Sequence, residues 1–231
     1  MGAASGGVDE TARERLAVYR DALLEWNERF NLTAVKDPDG VDRRLIGDAL
    51  RLLPAIDGFG AARLVDVGTG AGLPGLVLKI ARPDLDVTLI EATGKKVAFL
   101  RHAIAMLGLE GVEALHGRAE ELGRDPRYRG RYDLATARAV AALPVLVELC
   151  LPFLRVGGRA LFPKGPELGT EFAEGERAAA LVGGRIESAE VLPIGAGEPV
   201  TRLVIAAKIR ETPYRFPRRS GVPAKEPLGR V

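Results

Sequence analysis

One stretch of the chain combines an acid with four closely spaced glycines, between an apolar run and a helical pattern. It reads Leu64-Val65-Asp66-Val67-Gly68-Thr69-Gly70-Ala71-Gly72-Leu73-Pro74-Gly75. Because glycine lacks a Cβ, the backbone there can turn tightly and approach a ligand closely. A helix that begins after the turn directs free N–H groups and a positive dipole end towards an anionic group. This stretch predicts a nucleotide-cofactor loop.

Two cofactor motifs overlap in this loop. Residues 70–75 match G-x-G-x-x-G, the dinucleotide fingerprint, but glycine-rich turns after a first strand serve several cofactors. Residues 66–72 resemble the D/E-x-G-x-G-x-G motif of class I methyltransferases, which bind S-adenosylmethionine. An acid at the strand tip can accept the ammonium of that cofactor, whose carboxylate suits a helix N-terminus and the amides of Gly68, Gly70 and Gly72. An acid so close to a pyrophosphate would be unfavourable, so Asp66 favours S-adenosylmethionine.

Two further acids follow later strands. Residues 86–91 end in Glu91, 23 residues after Gly68, and a carboxylate at that strand tip can accept both ribose hydroxyls of either cofactor. After the third strand come Ala119 and Glu120, whose backbone and carboxylate can pair with an adenine. The alternative for Glu120 is that it only occupies the first turn of a helix, where the dipole favours acids.

From residue 63 onward, short apolar runs alternate with helical patterns, as in a mostly parallel sheet covered on both faces. Strands are predicted at residues 63–67, 86–91, 112–116, 132–137, 158–163, 186–193 and 201–208. Helices are predicted at residues 72–82, 94–108, 118–122, 143–154 and 167–182. We therefore expect an α/β, Rossmann-like fold with a mostly parallel seven-stranded sheet. The short Gly/Pro link at 195–199 favours a hairpin, with one antiparallel strand at the edge of the sheet.

The ends of the chain differ from this middle part. Residues 9–30 form an amphipathic helical pattern in which Trp26 is expected to be a core residue, and a second helix is predicted over 38–54. The tail has four prolines after Ile209 and is expected to be extended. The predicted divisions are a leader (1–8), an N-terminal helical appendage (9–60), a cofactor-binding methyltransferase domain (61–210) and a basic Pro-rich tail (211–231).

Composition narrows the class of protein. Residues 202–231 contain eight Lys/Arg and two Glu, a net charge of +6, which leaves −4 for residues 1–201 of a chain whose total is +2. A basic end on a mildly acidic body suggests a polyanionic partner, or else a solvated tail that binds nothing. The single cysteine, Cys150, excludes an internal disulfide, and two histidines disfavour a Cys/His metal site. With no signal peptide or membrane-length apolar run, we expect a cytoplasmic protein, monomeric by default.

Four stretches resemble the bacterial 16S ribosomal RNA 7-methylguanosine methyltransferases, the RsmG (GidB) family. The helical W-N-x-x-x-N-L-T segment and the P-R-R-x-G-x-P-x-K-x-P-L tail are much more specific than the glycine motif alone. The four stretches are residues 24–34, 66–75, 137–141 and 217–228. The resemblance implies that the substrate is a guanine in 16S ribosomal RNA of the small ribosomal subunit. It also implies S-adenosylmethionine contacts at Gly68, Leu73, Glu91, Ala92, Thr93, Ala119, Glu120 and Arg138.

One departure from the family pattern stands in the second helix. The family usually has R-H-x-x-D-S-L there, whereas this chain has Leu45 in place of the histidine and Ala49 in place of the serine. Arg44 and Asp48 remain. A substrate contact made by that histidine in relatives is therefore absent here or supplied by another residue.

Guanine N7 carries a lone pair and no proton, so methyl transfer to it needs no general base, only positioning and charge stabilisation. Both histidines are accordingly expected to be structural. Candidate catalytic residues at the rim are Arg138, after strand four, and Lys164, after strand five, the latter with a surface lysine as the alternative. The residues expected to bind RNA phosphates are Arg218, Arg219 and Lys225.

Two other functions remain open on sequence alone. The first is an NAD-dependent reductase that would use the literal G-x-G-x-x-G. Three features argue against a reductase: Asp66, the edge hairpin and the missing catalytic Tyr/Lys pair. A non-catalytic RNA-binding or ribosome assembly factor would keep the methyltransferase fold without turnover.

Overall fold

Seven strands form one sheet in the computed structural model, which describes residues 8–60, 62–138, 141–193 and 200–230. The hairpin link at 195–199 and the leader up to residue 7 lie outside the described residues. The strands are β1 Arg63–Val67, β2 Asp86–Glu91, β3 Val112–His116, β4 Tyr132–Thr136, β5 Leu154–Lys164, β6 Gly184–Val191 and β7 Arg202–Lys208.

The strand order is β3-β2-β1-β4-β5-β7-β6. Strands β1 to β5 pair in parallel, whereas β7 pairs antiparallel with both β5 and β6. The mostly parallel sheet is confirmed, but the edge position predicted for the antiparallel strand is wrong. The apolar strand β7 is largely buried and lies inside the sheet, whereas the more polar and exposed β6 forms the edge.

The chain reverses its direction of progress through the sheet at β1, which lies between β2 and β4. In open α/β sheets a crevice forms at such a point, at the carboxyl ends of the strands. The loops after β1, β2 and β4 therefore converge there. This topology places the glycine loop, Glu91 and Arg138 at the same edge of the sheet.

Helices cover both faces of the sheet. The longer helices are α1 Glu10–Phe30, α2 Gly75–Ala81, α3 Gly94–Met106, α4 Leu143–Cys150 and α5 Thr170–Val182. Shorter α-helical turns occur at Leu53–Ile56, Ala119–Leu122 and Val222–Lys225. Helix α2 begins three residues later than predicted, because residues 68–74 turn back across the end of β1 before the helix starts.

The helix predicted over 38–54 is interrupted. The π-helical segment Val41–Gly47 lies between the short α-helical pieces Pro38–Gly40 and Asp48–Leu50. A Cβ on Gly47 would lie 3.2 Å from the Asp42 carbonyl oxygen, so glycine permits the close backbone approach of this wider turn. A new turn then begins at Leu53–Ile56, with Pro54 in its first positions.

Two buried clusters lie on the two faces of the sheet. One joins α1 residues such as Tyr19 and Leu23 to Phe99 and Leu100 of α3. Trp26 packs against this cluster, with its ring 5.6 Å from that of Phe99, so the prediction of a core role is confirmed. The N-terminal region thus shares a core with the sheet. In the described part of the chain, no helix has the length and apolar character to cross a bilayer.

The C-terminal tail folds back onto the body instead of extending from it. Phe216 and Pro217 are buried, and residues Val222–Lys225 form a helical turn, so the prediction of an extended tail is wrong there. The main anchor is an ion pair in which Arg218 Nη2 lies 2.6 Å from Oε2 of Glu148, a side chain of α4 with no exposed surface. Burial of both the apolar residues and this carboxylate fixes the path of the tail.

Replacing Arg218 with Met should lower the free energy of unfolding by about 3 kcal/mol, because the buried carboxylate of Glu148 would lose its cation. Urea denaturation followed by circular dichroism measures this change. The control is Arg230→Met, which removes an exposed tail arginine lying 3.9 Å from the partly buried Glu174 and should change stability by less than about 1 kcal/mol. Equal losses in the two variants would contradict the anchoring role of Arg218.

Candidate functional site

A cavity of about 440 Å³ opens at the carboxyl ends of β1, β2 and β4. One wall comes from the glycine loop and the end of β2, and consists of Gly68, Thr69, Gly70, Ala71, Leu73, Glu91, Ala92 and Thr93. The remaining lining residues are Leu32, Thr33 and Leu45 of the N-terminal region and three cations, called the rim cations below: Lys96, Arg118 and Arg138. The crevice expected from the topology is therefore lined by residues of the glycine loop, the N-terminal region and three strand-to-helix connections.

The glycine loop is held against the next strand by its backbone. The N–H groups of Gly68 and Thr69 donate to the Ile90 carbonyl at 2.9 and 3.1 Å. Gly70 has φ +62°, and a Cβ there would meet no protein atom within 4 Å, so its backbone faces open space. Gly72 has φ +99°, and a Cβ there would lie 2.9 Å from the Leu76 Cβ. Glycine at position 70 thus leaves the backbone uncovered by a side chain, and glycine at position 72 allows close packing against Leu76.

Asp66 lies behind the loop and does not line the cavity. Its Oδ2 accepts hydrogen bonds from Thr69 Oγ1 at 2.5 Å and from the Gly75 N–H at 2.8 Å, so it braces both ends of the loop. Burial raises the pKa of Asp66 to about 6, and these two hydrogen bonds offset only part of that rise. Its Oδ1 is buried and has no hydrogen-bond partner in the described residues. Bracing is thus the role of Asp66 in the structure, and Oδ1 retains the capacity to accept a donor from a ligand.

Glu91 is nearly buried at the end of β2 and lines the cavity. Its Oε2 accepts from the Gly70 N–H at 3.0 Å, and its Oε1 accepts from the Thr93 N–H at 2.7 Å. A carboxylate has about four lone-pair positions, so each oxygen can still accept a ligand hydroxyl. The backbone bonds fix the orientation of Glu91 towards the cavity.

Ala119 and Glu120 begin the short helix Ala119–Leu122 after β3, beside the rim residue Arg118. Ala119 is buried, whereas Glu120 is half-buried and its Oε1 accepts from the Gly221 N–H of the tail at 2.8 Å. Nothing in the residues around Glu120 predicts this long-range partner. Glu120 therefore contacts the tail as well as occupying the first turn of a helix, and neither Ala119 nor Glu120 is among the residues that line the cavity.

Arg138 lines the cavity at the end of β4 and is mostly buried. Its Nη1 donates to the Arg44 carbonyl at 3.4 Å and lies 3.9 Å from Oδ2 of Asp48. Burial raises the pKa of the Asp48 carboxyl, although Arg51 and Arg138 oppose that shift. Leu45 lines the same cavity and presents an apolar side chain there.

Lys164 is not among the residues that line the cavity. Its Nζ lies 3.0 Å from Oε2 of Glu171 and donates to the Ala141 carbonyl at 3.1 Å. The same Glu171 oxygen accepts from the Leu143 N–H at 2.8 Å. The structure thus places Lys164 in a polar cluster between β5, α4 and α5, so it does not support the prediction of a catalytic role.

The N-terminal region forms part of the cavity in a way that the sequence did not reveal. The buried Tyr19 hydroxyl donates to the Ala71 carbonyl of the glycine loop at 2.8 Å. The buried Asn27 accepts from the Thr33 N–H at 2.9 Å and donates to the Val35 carbonyl at 3.3 Å. These bonds hold Leu32 and Thr33 against the cavity. The helical W-N-x-x-x-N-L-T pattern was the available signal, but it did not identify these residues as a wall.

Two rim cations were not among the predicted site residues: Lys96, in the first turn of α3, and Arg118, two residues after β3. The three tail residues predicted to bind RNA have different surroundings. Arg218 is bound by Glu148, so the structure does not leave its guanidinium free for phosphates. Arg219 and Lys225 are exposed and form no ion pair with any described residue.

The sheet order, the glycine loop after β1 and the acid at the end of β2 define a class I S-adenosylmethionine-dependent methyltransferase. Geranyl diphosphate methyltransferase, solved in complex with S-adenosylmethionine, shares the fold with a TM-score of 0.55, at 17% identity over 71% of this chain and 85% of that chain. TrmN from Thermus thermophilus likewise has a TM-score of 0.55, at 22% identity over 71% of this chain and 49% of that chain.

Within that class, the chain belongs to the rRNA small subunit methyltransferase G family, whose model, GidB, matches residues 12–196. A relative from Chloroflexus aggregans, named ribosomal RNA small subunit methyltransferase G, is 51% identical over 211 residues, which are 91% of this chain and 87% of the relative. A relative of the same name from Moorella thermoacetica is 45% identical over 213 residues, covering 92% and 89%. The resemblance drawn from the sequence is confirmed, and an NAD-dependent reductase is not favoured.

Replacing Asp66 with Asn should change the pH dependence of stability. The pKa of Asp66 rises from 3.8 to about 6 on folding, so the folded protein binds more protons than the unfolded chain between these values. The unfolding free energy of the wild type should therefore fall as pH rises from 4 to 6, by up to about 3 kcal/mol relative to Asp66→Asn. Urea denaturation at several pH values measures the difference, and parallel profiles would contradict it.

Proposed function

We propose that this chain transfers the methyl group of S-adenosylmethionine to N7 of a guanine in 16S ribosomal RNA. The single observation that carries the proposal is one cavity whose lining holds two kinds of groups, in a chain of the methyltransferase G family. The lining combines bare glycine backbone and Glu91 with three cations, Lys96, Arg118 and Arg138. The glycine backbone and the carboxylate suit the cofactor, and the cations suit an anionic substrate.

The residues present fit S-adenosylmethionine. Gly70 offers a backbone cradle with no side-chain obstruction, and Glu91 is fixed by two backbone N–H groups with acceptor capacity left for ribose hydroxyls. The buried Oδ1 of Asp66 lies behind the loop and would accept a donor from the cofactor through a water molecule. Ala119 and Glu120 would bind the adenine. Further expected contacts are Gly68, Gly72, Leu73, Ala92, Thr93 and Arg138.

The residues around the cavity also suit an acceptor that needs no general base. When bound, the cofactor supplies a methyl group on a positively charged sulfur, and guanine N7 offers a lone pair without a proton. His102 packs on the Trp26 ring at 5.1 Å, and Nε2 of His116 lies 3.1 Å from the Ala92 carbonyl oxygen. Neither lines the cavity. Arg138 would orient the guanine through O6 or an adjacent phosphate, and the cavity walls would exclude water.

The RNA would contact the rim of the cavity and the tail. Lys96 and Arg118 at the rim, like Arg219 and Lys225 on the tail, form no ion pair with another described residue, so their charge is available to phosphates. The target guanine would have to be unpaired or unstacked to enter the cavity. We expect the reaction to occur in the cytoplasm, with the small ribosomal subunit as partner and the enzyme as a monomer.

A non-catalytic assembly role is less well supported, because the glycine loop, Glu91 and Arg138 are all in position around the cavity. Methyl transfer decides between the two. Incubation with labelled S-adenosylmethionine and small subunits that lack the modification should label guanine N7, whereas Arg138→Met should label it at least tenfold more slowly. Naked 16S ribosomal RNA serves as a parallel substrate. Label on guanine N1 or on protein would contradict the proposal.

Replacing Arg219 and Lys225 with Gln should weaken RNA binding and reduce its dependence on salt. If each residue neutralises one phosphate, the slope of log K against log salt concentration should decrease in magnitude by about 1.4 to 1.8 for the pair. Filter binding at several salt concentrations measures this slope. Arg230→Gln is the control, since Arg230 lies beside Glu174. An unchanged slope in the double variant would exclude these two residues from the RNA interface.

A further inference from the structure

The tail contacts the proposed adenine-binding segment directly. The Gly221 N–H donates to Oε1 of Glu120 at 2.8 Å, and Ser220 Oγ donates to Oε1 of Glu121 at 3.2 Å. The chain turns at Gly221 with φ +82°, a conformation that favours glycine. Glu120 therefore takes one of its hydrogen bonds from a residue 101 positions away in the sequence.

This part of the tail is fixed by a buried carboxylate. Glu148 Oε1 accepts from the Arg218 backbone N–H at 2.8 Å and from its Nε at 2.9 Å, while Oε2 accepts from Nη2 at 2.6 Å. Nη2 also donates to the Glu226 carbonyl at 2.7 Å. The planar guanidinium thus binds the carboxylate through two parallel bonds, which set orientation as well as distance. Arg218 lies only three residues from Gly221, so its position fixes the contact with Glu120.

Two other arginines hold the preceding residues of the tail. Arg124 Nε donates to the Pro217 carbonyl at 2.7 Å, and Arg129 Nη1 donates to the Phe216 carbonyl at 2.8 Å. Arg124 closely follows the helix Ala119–Leu122 that carries Glu120. The tail and this helix are therefore connected on both sides of Arg218, and they would be expected to move as one unit.

We propose that Glu148 and Arg218 are positioning residues for cofactor binding. They hold the tail so that the Gly221 N–H fixes one oxygen of Glu120 and leaves the other oriented to accept the adenine amine. A glutamate that is already ordered loses less conformational freedom when a ligand binds, so affinity rises without any contact between ligand and tail. This inference rests on the proposed function, in which Glu120 contacts the adenine.

The test measures binding of S-adenosylhomocysteine to the full-length protein by isothermal titration calorimetry. Arg218→Met should weaken binding about three- to tenfold, the loss expected when one side chain must be ordered by the ligand. Arg218→Lys keeps the charge beside Glu148 without the two parallel bonds and should recover part of the affinity. Arg230→Gln removes a tail charge elsewhere and should bind like the wild type. All titrations are run at a temperature where circular dichroism shows each variant folded.

A double-mutant cycle with Glu120→Ala identifies the route of the effect. If Arg218 acts through Glu120, Arg218→Met should weaken binding no further in the Glu120→Ala background. Wild-type affinity in folded Arg218→Met, or full additivity of the two changes, would overturn the positioning role while leaving the Glu120 contact intact. Wild-type affinity in Glu120→Ala would instead refute the adenine contact of the proposed function, and the inference with it. If Arg218→Met does not fold, Arg218→Lys carries the same cycle.

Discussion

The buried carboxylate of Asp66 is the constraint on which the cofactor side of the cavity depends. By accepting from Thr69 and from the Gly75 N–H, it ties the first turn of the glycine loop to the start of α2. The loop can then expose bare backbone at Gly70 and hold Glu91 through its amide. Burying a carboxylate is unfavourable, as its raised pKa indicates, and the hydrogen bonds from Thr69 and Gly75 offset part of that cost.

Segments from both ends of the chain contact the loops and helices that follow the strands of the sheet. From the N-terminal side, Tyr19 holds the glycine loop at Ala71, and Asn27 holds the turn that presents Thr33. From the C-terminal side, Gly221 contacts Glu120 beside the third strand. The N-terminal region supplies Leu32, Thr33 and Leu45 to the lining of the cavity, whereas the tail contacts the neighbouring helix Ala119–Leu122. The two ends of the chain therefore support the loops of the sheet in different ways.

Some of the basic residues in the tail form contacts within the protein, and others are exposed without an ion-pair partner among the described residues. The segment 202–231 has a net charge of +6, yet Arg218 binds a buried glutamate, Lys208 donates to the Leu151 carbonyl, and Arg202 donates to the Pro166 carbonyl. Burial lowers the pKa of Lys208 to about 7. Part of the basic charge therefore stabilises the fold. Net charge alone overestimates the surface available to a polyanion, since it counts paired and unpaired cations equally.

The sequence by itself determined the alternating strands and helices, the glycine loop, the acid at the end of β2 and the family, because each is encoded in contiguous or periodic residues. It could not determine that β7 lies inside the sheet, that residues 41–47 form a π-helical segment, or that Lys164 pairs with Glu171 away from the cavity. Only the tertiary structure decided the partners of Arg218 and Glu120, which are 70 and 101 residues away. The residues next to a charged side chain in the sequence do not indicate which distant residue it will pair with. Packing selects that partner when distant segments meet.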